Sequence, residues 1–237
     1  MKQMFIKLLP VTLLAAASAA SAATVQVTFD NPLYNGAGYD SVNLSLTNSH
    51  GTSAGRFQGT VTDSSGIQGS AFFSSLNDLY MYCYDLYEGV WAGAKVNYTV
   101  RFNGVAARTL DFLGAVNAVL NDGSATANPY AWLLPQNAAQ SAAIQIGIWK
   151  SLYDDSGWDV GAGTFQVSGF KPDTGEWLDR FFDAIGSSDP LDRNKVMWLA
   201  SDGSQDVLTG HQVPEPASLV LMGLGLAGLA AARRRKV

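Results

Sequence analysis

Cysteine and histidine are nearly absent from this sequence. Its 237 residues contain one cysteine, Cys83, and two histidines, His50 and His211. A lone cysteine has no intramolecular disulfide partner, and no Cys/His spacing fits a zinc site. We interpret His50 as a solvated loop residue, and His211 lies three residues before Pro214, a poor position for a catalytic triad, so a hydrolase triad is not indicated. We therefore expect no enzymatic activity, no metal centre and no cofactor.

Basic residues are scarce outside the two ends of the chain. Between Thr24 and Val213 there are 9 Lys and Arg against 19 Asp and Glu, which gives a net charge of −10. Such an acidic body argues against nucleic acid or anionic lipid as a partner. Its length of roughly 190 residues suits one ordinary domain.

The first 23 residues have the order of a secretory signal peptide. Lys2 and Lys7 precede a short apolar run, and Ala20-Ser21-Ala22 then forms an A-x-A cleavage pattern. The run is too short to span a membrane comfortably. We predict a signal peptide over residues 1–23, with cleavage near Ala22 or Ala23, and hence an exported protein.

A second apolar run lies near the C-terminus. It extends from Ala217 to Ala232 and is followed by a basic cluster of Arg233, Arg234, Arg235 and Lys236. Its length falls just below the usual range for a spanning helix, and snorkelling arginines extend its reach. Because basic ends stay in the cytoplasm, this cluster would stop transfer and leave the body outside the inner membrane. We predict a transmembrane helix that anchors the chain before processing.

The segment before this run is Val213-Pro214-Glu215-Pro216. Together with the short glycine-rich apolar run and the terminal arginines, it resembles the PEP-CTERM sorting signal of Gram-negative bacteria. The resemblance implies that an exosortase-type enzyme processes the tail near Pro214, Glu215 and Pro216. It also implies release to the cell surface or to the exopolysaccharide and biofilm matrix. The chain thus divides into a signal peptide (1–23), an extracytoplasmic body (24–212) and a sorting signal (213–237).

The first half of the body has the period of β-strands. Thr24 to Phe29 and Ser41 to Leu46 alternate polar and apolar residues, and Lys95 to Phe102 does so most clearly. Shorter candidates are Phe57 to Val61 and Ile67 to Phe73. A strand with one apolar face is typical of an antiparallel sheet.

The middle of the chain changes to helical period near Thr109. We predict helices from Thr109 to Leu120, from Ala138 to Tyr153 with Asn137 as N-cap, and from Glu176 to Ile185. Further strands are expected over Thr164 to Val167 and Lys195 to Leu199. The fold class is therefore α+β, with a β-rich antiparallel sandwich or barrel-like body and a helical insertion.

Two segments carry the strongest chemical signal. They are Met81-Tyr82-Cys83-Tyr84-Asp85 and Ala143-Ile144-Gln145-Ile146-Gly147-Ile148-Trp149. Together they resemble the thioester domains of bacterial surface adhesins, although Gly147 stands where that family usually has alanine. The resemblance implies a bond between Cys83 and Gln145, supported by Asp85 and Trp149. Such a thioester would capture an amine- or hydroxyl-bearing partner on a surface or in a matrix.

Other interpretations of the same residues remain open. Cys83 can be a small buried apolar residue, with Gln145 at the edge of an ordinary amphipathic helix. Asp154, Asp155 and Asp159 can offer oxygen ligands to calcium, or they can form turns and caps. Many aromatic residues can build a core or a carbohydrate-binding surface. The alternative function is a non-reactive exopolysaccharide or biofilm-matrix protein, either structural or carbohydrate-binding.

Overall fold

The computed structural model describes residues 22–46, 48–122 and 127–212. The predicted sorting signal and the first 21 residues of the predicted signal peptide lie outside these ranges. Within them, no helix combines the length and the apolar character needed to cross a bilayer.

The body combines strands and helices in the order expected for an α+β fold. In chain order the elements are β1 (Thr24–Phe29), β2 (Tyr39–Ser45), β3 (Ser49–Gly55), β4 (Phe57–Ser65), β5 (Leu79–Cys83), β6 (Lys95–Arg101), α1 (Ala107–Leu120), α2 (Ala138–Tyr153), β7 (Gln166–Ser168), α3 (Pro172–Asp183), β8 (Val196–Ala200) and β9 (Val207–Gly210). Six strands form a closed antiparallel barrel in the order β1-β4-β5-β9-β8-β6. The other three form a small antiparallel sheet in the order β3-β2-β7.

Alternation along the strands sets the barrel's interior. In β1, Val25 and Val27 are buried, and in β6 Tyr98 and Val100 are buried, as the period-2 pattern predicts. Strand β6 pairs with β1 on one side and with β8 on the other, which closes the barrel. A closed barrel leaves no open edge strand that could pair with another chain.

Helix α2 is buried on all sides. Every residue from 140 to 151 is buried, so its surroundings are apolar almost all round. The Asn137 side chain accepts a hydrogen bond from the Gln140 amide at 2.9 Å, which confirms the predicted N-cap. The helix contacts β2, β3 and β5 as well as α1 and α3. It therefore links the small sheet, the barrel and the other helices into one core.

The structure differs from the sequence prediction at several places. Ile67 to Phe73 is not a strand, because it contains a 3-10 turn at Gly69–Ala71 and a single bridge from Phe72 to His211. Strands β3, β5 and β9 were not predicted from the alternation pattern, and β4 extends to Ser65, four residues beyond the predicted Val61. Helix α3 begins at Pro172, four residues before the predicted Glu176, because proline suits the first turn of a helix.

Candidate functional site

Strand β5 separates from one of its neighbours just before Cys83. Its pairing with β4 ends at Phe57 and Met81, whereas its pairing with β9 continues through Cys83 and Val207. On the β9 side, the next ladder bond runs from the Tyr84 amide to the Asp206 carbonyl at 2.8 Å. The amide and carbonyl of Cys83 therefore need a partner on the side that β4 has left.

The side chain of Gln145 is that partner. Its Oε1 accepts a hydrogen bond from the Cys83 backbone amide at 2.8 Å, and its Nε2 donates to the Cys83 carbonyl at 2.9 Å. Both residues are buried, Gln145 completely. The carboxamide thus occupies the place of a peptide group in a neighbouring strand. This arrangement brings the predicted pair together and holds the Gln145 carboxamide against the residue that carries the thiol.

The surroundings keep the thiol of Cys83 protonated. Burial, and after it the negative charge of Asp85, raises the pKa of Cys83 well above its ordinary value. Cys83 is the single cysteine of the chain and has no disulfide partner. Because the thiolate is the reactive form, any chemistry here needs a proton acceptor close to the sulfur.

Asp85 lies just beyond the C-terminal end of β5, two residues after Cys83. Its Oδ2 accepts a hydrogen bond from the Asp206 amide at 2.6 Å, and its carbonyl accepts one from Gln205 Nε2 at 2.8 Å. Burial raises the pKa of Asp85, against the lowering effect of the Asp206 hydrogen bond. Asp85 therefore ties β5 to β9 and is also more basic than a free aspartate.

Trp149 follows Gln145 by one helical turn and is almost fully buried. Its indole Nε1 has no hydrogen-bond partner among the described residues.

Ser141 precedes Gln145 by one turn on the same face of α2. Its Oγ accepts a hydrogen bond from the Arg56 amide at 2.8 Å and donates one to the Gly38 carbonyl at 2.9 Å. Sequence reasoning missed Ser141, although its spacing of four from Gln145 placed it on that face.

An ion pair that sequence reasoning also missed joins the last turn of α2 to the acidic loop that follows it. Lys150 Nζ lies 2.7 Å from Asp154 Oδ2, and both side chains are removed from solvent. The same ammonium donates to the Ala162 and Phe165 carbonyls at 2.7 and 3.1 Å. The cation at Asp154 is therefore a lysine of this chain.

The other two aspartates considered for calcium are surface residues. The Asp159 carboxylate accepts a hydrogen bond from the Gly161 amide at 2.7 Å, which forms a turn, and Asp155 is exposed. No group of three or more His, Cys, Asp or Glu suited to a metal ion occurs within residues 22–46, 48–122 and 127–212. The turn-forming interpretation therefore applies to Asp159.

The two histidines occupy different environments. His50 is exposed but lies in β3, so its assignment to a loop was wrong. His211 contacts Phe102, with ring centroids 4.8 Å apart, and burial lowers its pKa. Its amide donates to the Lys195 carbonyl at 3.0 Å, so this residue fastens the end of the body to the turn before β8.

The last described residue is also fastened to the body. The Gln212 amide donates to the Ala71 carbonyl at 2.8 Å. The predicted sorting residues Pro214, Glu215 and Pro216, and the cluster of Arg233, Arg234, Arg235 and Lys236, lie outside the described residues. The folded body therefore extends to the start of the sorting segment.

Comparison with known proteins identifies only the tail. No curated protein and no solved structure matches the chain. Residues 212–236 match the family described as the PEP-CTERM protein-sorting motif. This motif indicates that the chain is exported and sorted at the membrane by an exosortase system.

Proposed function

We propose that this exported protein attaches covalently to a partner through an internal thioester between Cys83 and Gln145. After processing by an exosortase-type enzyme, the body would act at the cell surface or in the extracellular matrix of a Gram-negative bacterium. The partner would carry an amine or a hydroxyl group. The protein would react once and remain attached, so it is not an enzyme with turnover.

The contact between Gln145 and Cys83 is the observation that carries the proposal. Hydrogen bonds of 2.8 and 2.9 Å hold the carboxamide against the cysteine. A side-chain amide is unreactive in water, and fixed geometry is the means by which a fold can overcome this. Burial of both residues protects a formed thioester from hydrolysis.

The bond-forming step needs no external reactant. The Cys83 sulfur attacks the Gln145 carbonyl carbon, the C–N bond breaks, and the thiol proton leaves with the nitrogen as ammonia. Asp85 supports this transfer because its raised pKa makes it a better proton acceptor than an ordinary aspartate. Trp149, one turn after Gln145, would limit access of water to the product.

In the capture of a partner, Gln145 again supplies the carbonyl carbon that is attacked, and the Cys83 sulfur becomes the leaving group. The nitrogen or oxygen of the partner attacks the same carbonyl carbon, and the C–S bond breaks. The partner becomes linked to Gln145 by an amide or an ester, and its proton passes to the released Cys83 thiolate, which becomes a thiol. The number of free thiols therefore rises from zero to one for each partner bound.

Intact-mass measurement of the protein recovered from exporting cells tests the proposal. The thioester form is lighter than the unmodified chain by one ammonia molecule, and methylamine then adds to Gln145 and frees the Cys83 thiol. Cys83→Ala is the matched control, because it removes the sulfur but retains both hydrogen bonds of the backbone. An unmodified mass together with a free thiol in the untreated protein would refute the thioester.

A non-reactive, carbohydrate-binding matrix protein is the second candidate. Tyr87 and Trp91, in the loop after β5, are 73 and 71% exposed, the largest values among the exposed large hydrophobic residues described. Exposed aromatic rings provide flat apolar faces, which suit sugar rings. Binding of matrix polysaccharide that Tyr87→Ala and Trp91→Ala abolish, in protein of unmodified mass, would favour this candidate.

A further inference from the structure

The two ends of the described chain leave the barrel at the same end. Strand β1 begins beside the end of β6, where Thr24 pairs with Thr99. Strand β9 ends beside the start of β8, where Gly210 pairs with Val196. Because β6 and β8 are antiparallel neighbours, the end of β6 and the start of β8 lie together. We call this the exit end; it contains the first residues of β1 and β8 and the last residues of β6 and β9.

Cys83 lies at the opposite end of the barrel. It pairs with Val207, the first residue of β9, whereas the chain leaves the barrel after Gly210, the last residue of that strand. Only four residues lie between Gln212 and Ala217, where the predicted transmembrane run begins. The exit end therefore stays close to the bilayer before processing, and the end with Cys83 is the outward end.

The connection from β5 to β6, residues 84–94, runs across this outward end. Strands β5 and β6 are not neighbours in the barrel, since β4 and β1 separate them on one side and β9 and β8 on the other. Leu86 and Val90 are half-buried and pack against the core. We call residues 84–94 the outer loop. It covers the end of the barrel at which Cys83 lies.

Two aromatic rings project from the outer loop into solvent, those of Tyr87 and Trp91. Tyr87 meets the ring of Tyr153 edge-on, with centroids 5.7 Å apart, and the Leu86 amide donates to the Tyr153 hydroxyl at 3.0 Å. Tyr153 lies two turns after Gln145 on α2. The outer loop is thus fastened to the helix that carries the reactive carboxamide.

The outer loop combines these rings with negative charge. Glu88 is exposed between Tyr87 and Trp91, and residues 84–94 contain neither lysine nor arginine. Large exposed apolar side chains grouped on one loop are characteristic of interaction sites. Aromatic faces beside a carboxylate favour a ligand that has both flat apolar faces and a positive charge.

On the basis of the proposed thioester, we propose that the outer loop selects the partner and that this partner is a polysaccharide with free amino groups. Its sugar rings stack on Tyr87 and Trp91, and an ammonium group lies near Glu88. A protein lysine supplies an amine but no ring, and a neutral polysaccharide supplies rings but no amine. An amino sugar supplies both, together with the nucleophile that the thioester needs.

The outer loop also controls the route to the reactive carbon. Gln145 is completely buried, so a partner amine reaches its carbonyl only when the outer loop moves. The amine nitrogen then attacks the Gln145 carbonyl carbon, the bond to the Cys83 sulfur breaks, and the amine proton passes to the released thiolate. Methylamine makes no ring contact, so its reaction depends on spontaneous opening alone.

Capture of a glucosamine tetramer by the protein recovered from exporting cells, measured by intact mass, tests the proposal. Tyr87→Ala combined with Trp91→Ala should lower the rate of tetramer capture by about tenfold, because the ring contacts are lost. The rate of methylamine addition should remain nearly unchanged. Phe102→Ala, which removes an exposed ring near the exit end, is the matched control and should change neither rate. The N-acetylated tetramer has the same rings without amines and should form no adduct.

Three results would overturn the proposal. Equal slowing by Phe102→Ala and by the double variant would deny the outer loop its role. Equal addition of the N-acetylated tetramer would make a hydroxyl the reacting group. Capture of Nα-acetyl-lysine N-methylamide at the rate of the tetramer, with the same dependence on Tyr87 and Trp91, would make a protein the partner.

Methylamine separates failure of this proposal from failure of the thioester. If methylamine adds to Gln145 but the tetramer does not, the thioester stands and the amino-sugar partner is wrong. If neither adds, the thioester is refuted and the amino-sugar proposal falls with it.

Discussion

The ring of Phe112 occupies the space that a side chain at Gly147 would need. A β-carbon built on Gly147 would lie 1.9 Å from Phe112 Cζ and 2.3 Å from Cε2. Helices α1 and α2 therefore approach closely at this point, two residues after Gln145. The glycine where thioester domains usually have alanine is thus explained by packing.

Gly147→Ala should destabilise the protein for this reason. Helix propensity favours alanine by up to about 1 kcal/mol, but overpacking a rigid core costs about 1 to 3 kcal/mol. Gly175→Ala in α3 is the matched control, because its β-carbon would meet only the Phe170 ring, at 3.3 Å from Cε2 and 3.9 Å from Cδ2. Urea unfolding should show a loss for Gly147→Ala and little change for Gly175→Ala. Equal effects of the two substitutions would contradict the packing explanation.

Gln145→Ala should cost more stability than Cys83→Ala. The first substitution leaves the Cys83 amide and carbonyl buried without partners, and each unsatisfied group costs about 1 to 3 kcal/mol. The second removes only the sulfur and keeps both hydrogen bonds. Thermal unfolding of the two variants measures the difference, and a greater loss for Cys83→Ala would show that the carboxamide is not a structural element of the barrel.

The Lys150–Asp154 pair should make stability depend on acid pH. Burial would raise the pKa of Asp154, but hydrogen bonds from Lys150 and Ser156 outweigh it and hold that pKa well below its usual range. A carboxylate with a lowered pKa contributes stability above its unfolded pKa of about 3.9 and loses it as pH falls towards its folded pKa. We expect the free energy of unfolding to decrease below about pH 4.

Substitutions at Asp154 and Lys150 separate the contribution of this pair to the pH dependence of stability from the contributions of other carboxylates. Asp154→Asn should flatten the pH dependence in that range. Lys150→Met should cost about 3 to 5 kcal/mol at neutral pH, because it leaves a buried carboxylate without its cation. An unchanged pH profile in Asp154→Asn would assign the acid sensitivity elsewhere.

The predicted signal peptide should be cleaved after Ala22. Ala23 is buried, and its carbonyl accepts a hydrogen bond from the Val100 amide at 2.7 Å, which continues the β1–β6 ladder. Cleavage after Ala23 would remove this bond. N-terminal sequencing of the exported protein should therefore begin at Ala23, and a sequence beginning at Thr24 would disagree with this argument.

The exported protein should lack the residues that follow the Pro214-Glu215-Pro216 segment. The match to the sorting motif over residues 212–236 is the basis for this expectation. Mass spectrometry of C-terminal peptides tests it, with Glu215→Ala as the variant expected to impair processing. Recovery of an intact Arg233 to Val237 end on exported protein would indicate a simple anchor.

Local signals predicted several elements closely. Helix α2 has the predicted bounds because Asn137 caps it and the apolar run ends at Tyr153. Strands β1 and β6 alternate cleanly, so their bounds agree within one residue. Strand β3 was missed because Ser49–Gly55 has no apolar alternation and depends on its pairing with β2.

The candidate site was only partly accessible from sequence. The resemblance to thioester domains selected Cys83 and Gln145, but it gave no indication that the carboxamide replaces a strand. The carboxamide has this role because the pairing of β4 with β5 ends at Phe57 and Met81, before Cys83, and the end of that pairing is set by how the strands close into the barrel. The burial of Lys150 likewise depends on the Ala162 and Phe165 carbonyls, which come from a later loop.

The position of β9 ties completion of the fold to the end of export. Val207–Gly210 lies between β5 and β8, so the barrel cannot close until nearly the whole body has crossed the membrane. Only six residues lie between Gly210 and Ala217, where the predicted transmembrane run begins, a reach of at most about 25 Å. The barrel would therefore close beside the bilayer, while the sorting tail is being presented to its processing enzyme. A body that fails to recruit β9 would leave β5 paired with β4 alone, and Cys83, which lies beyond that pairing, would have no strand on either side.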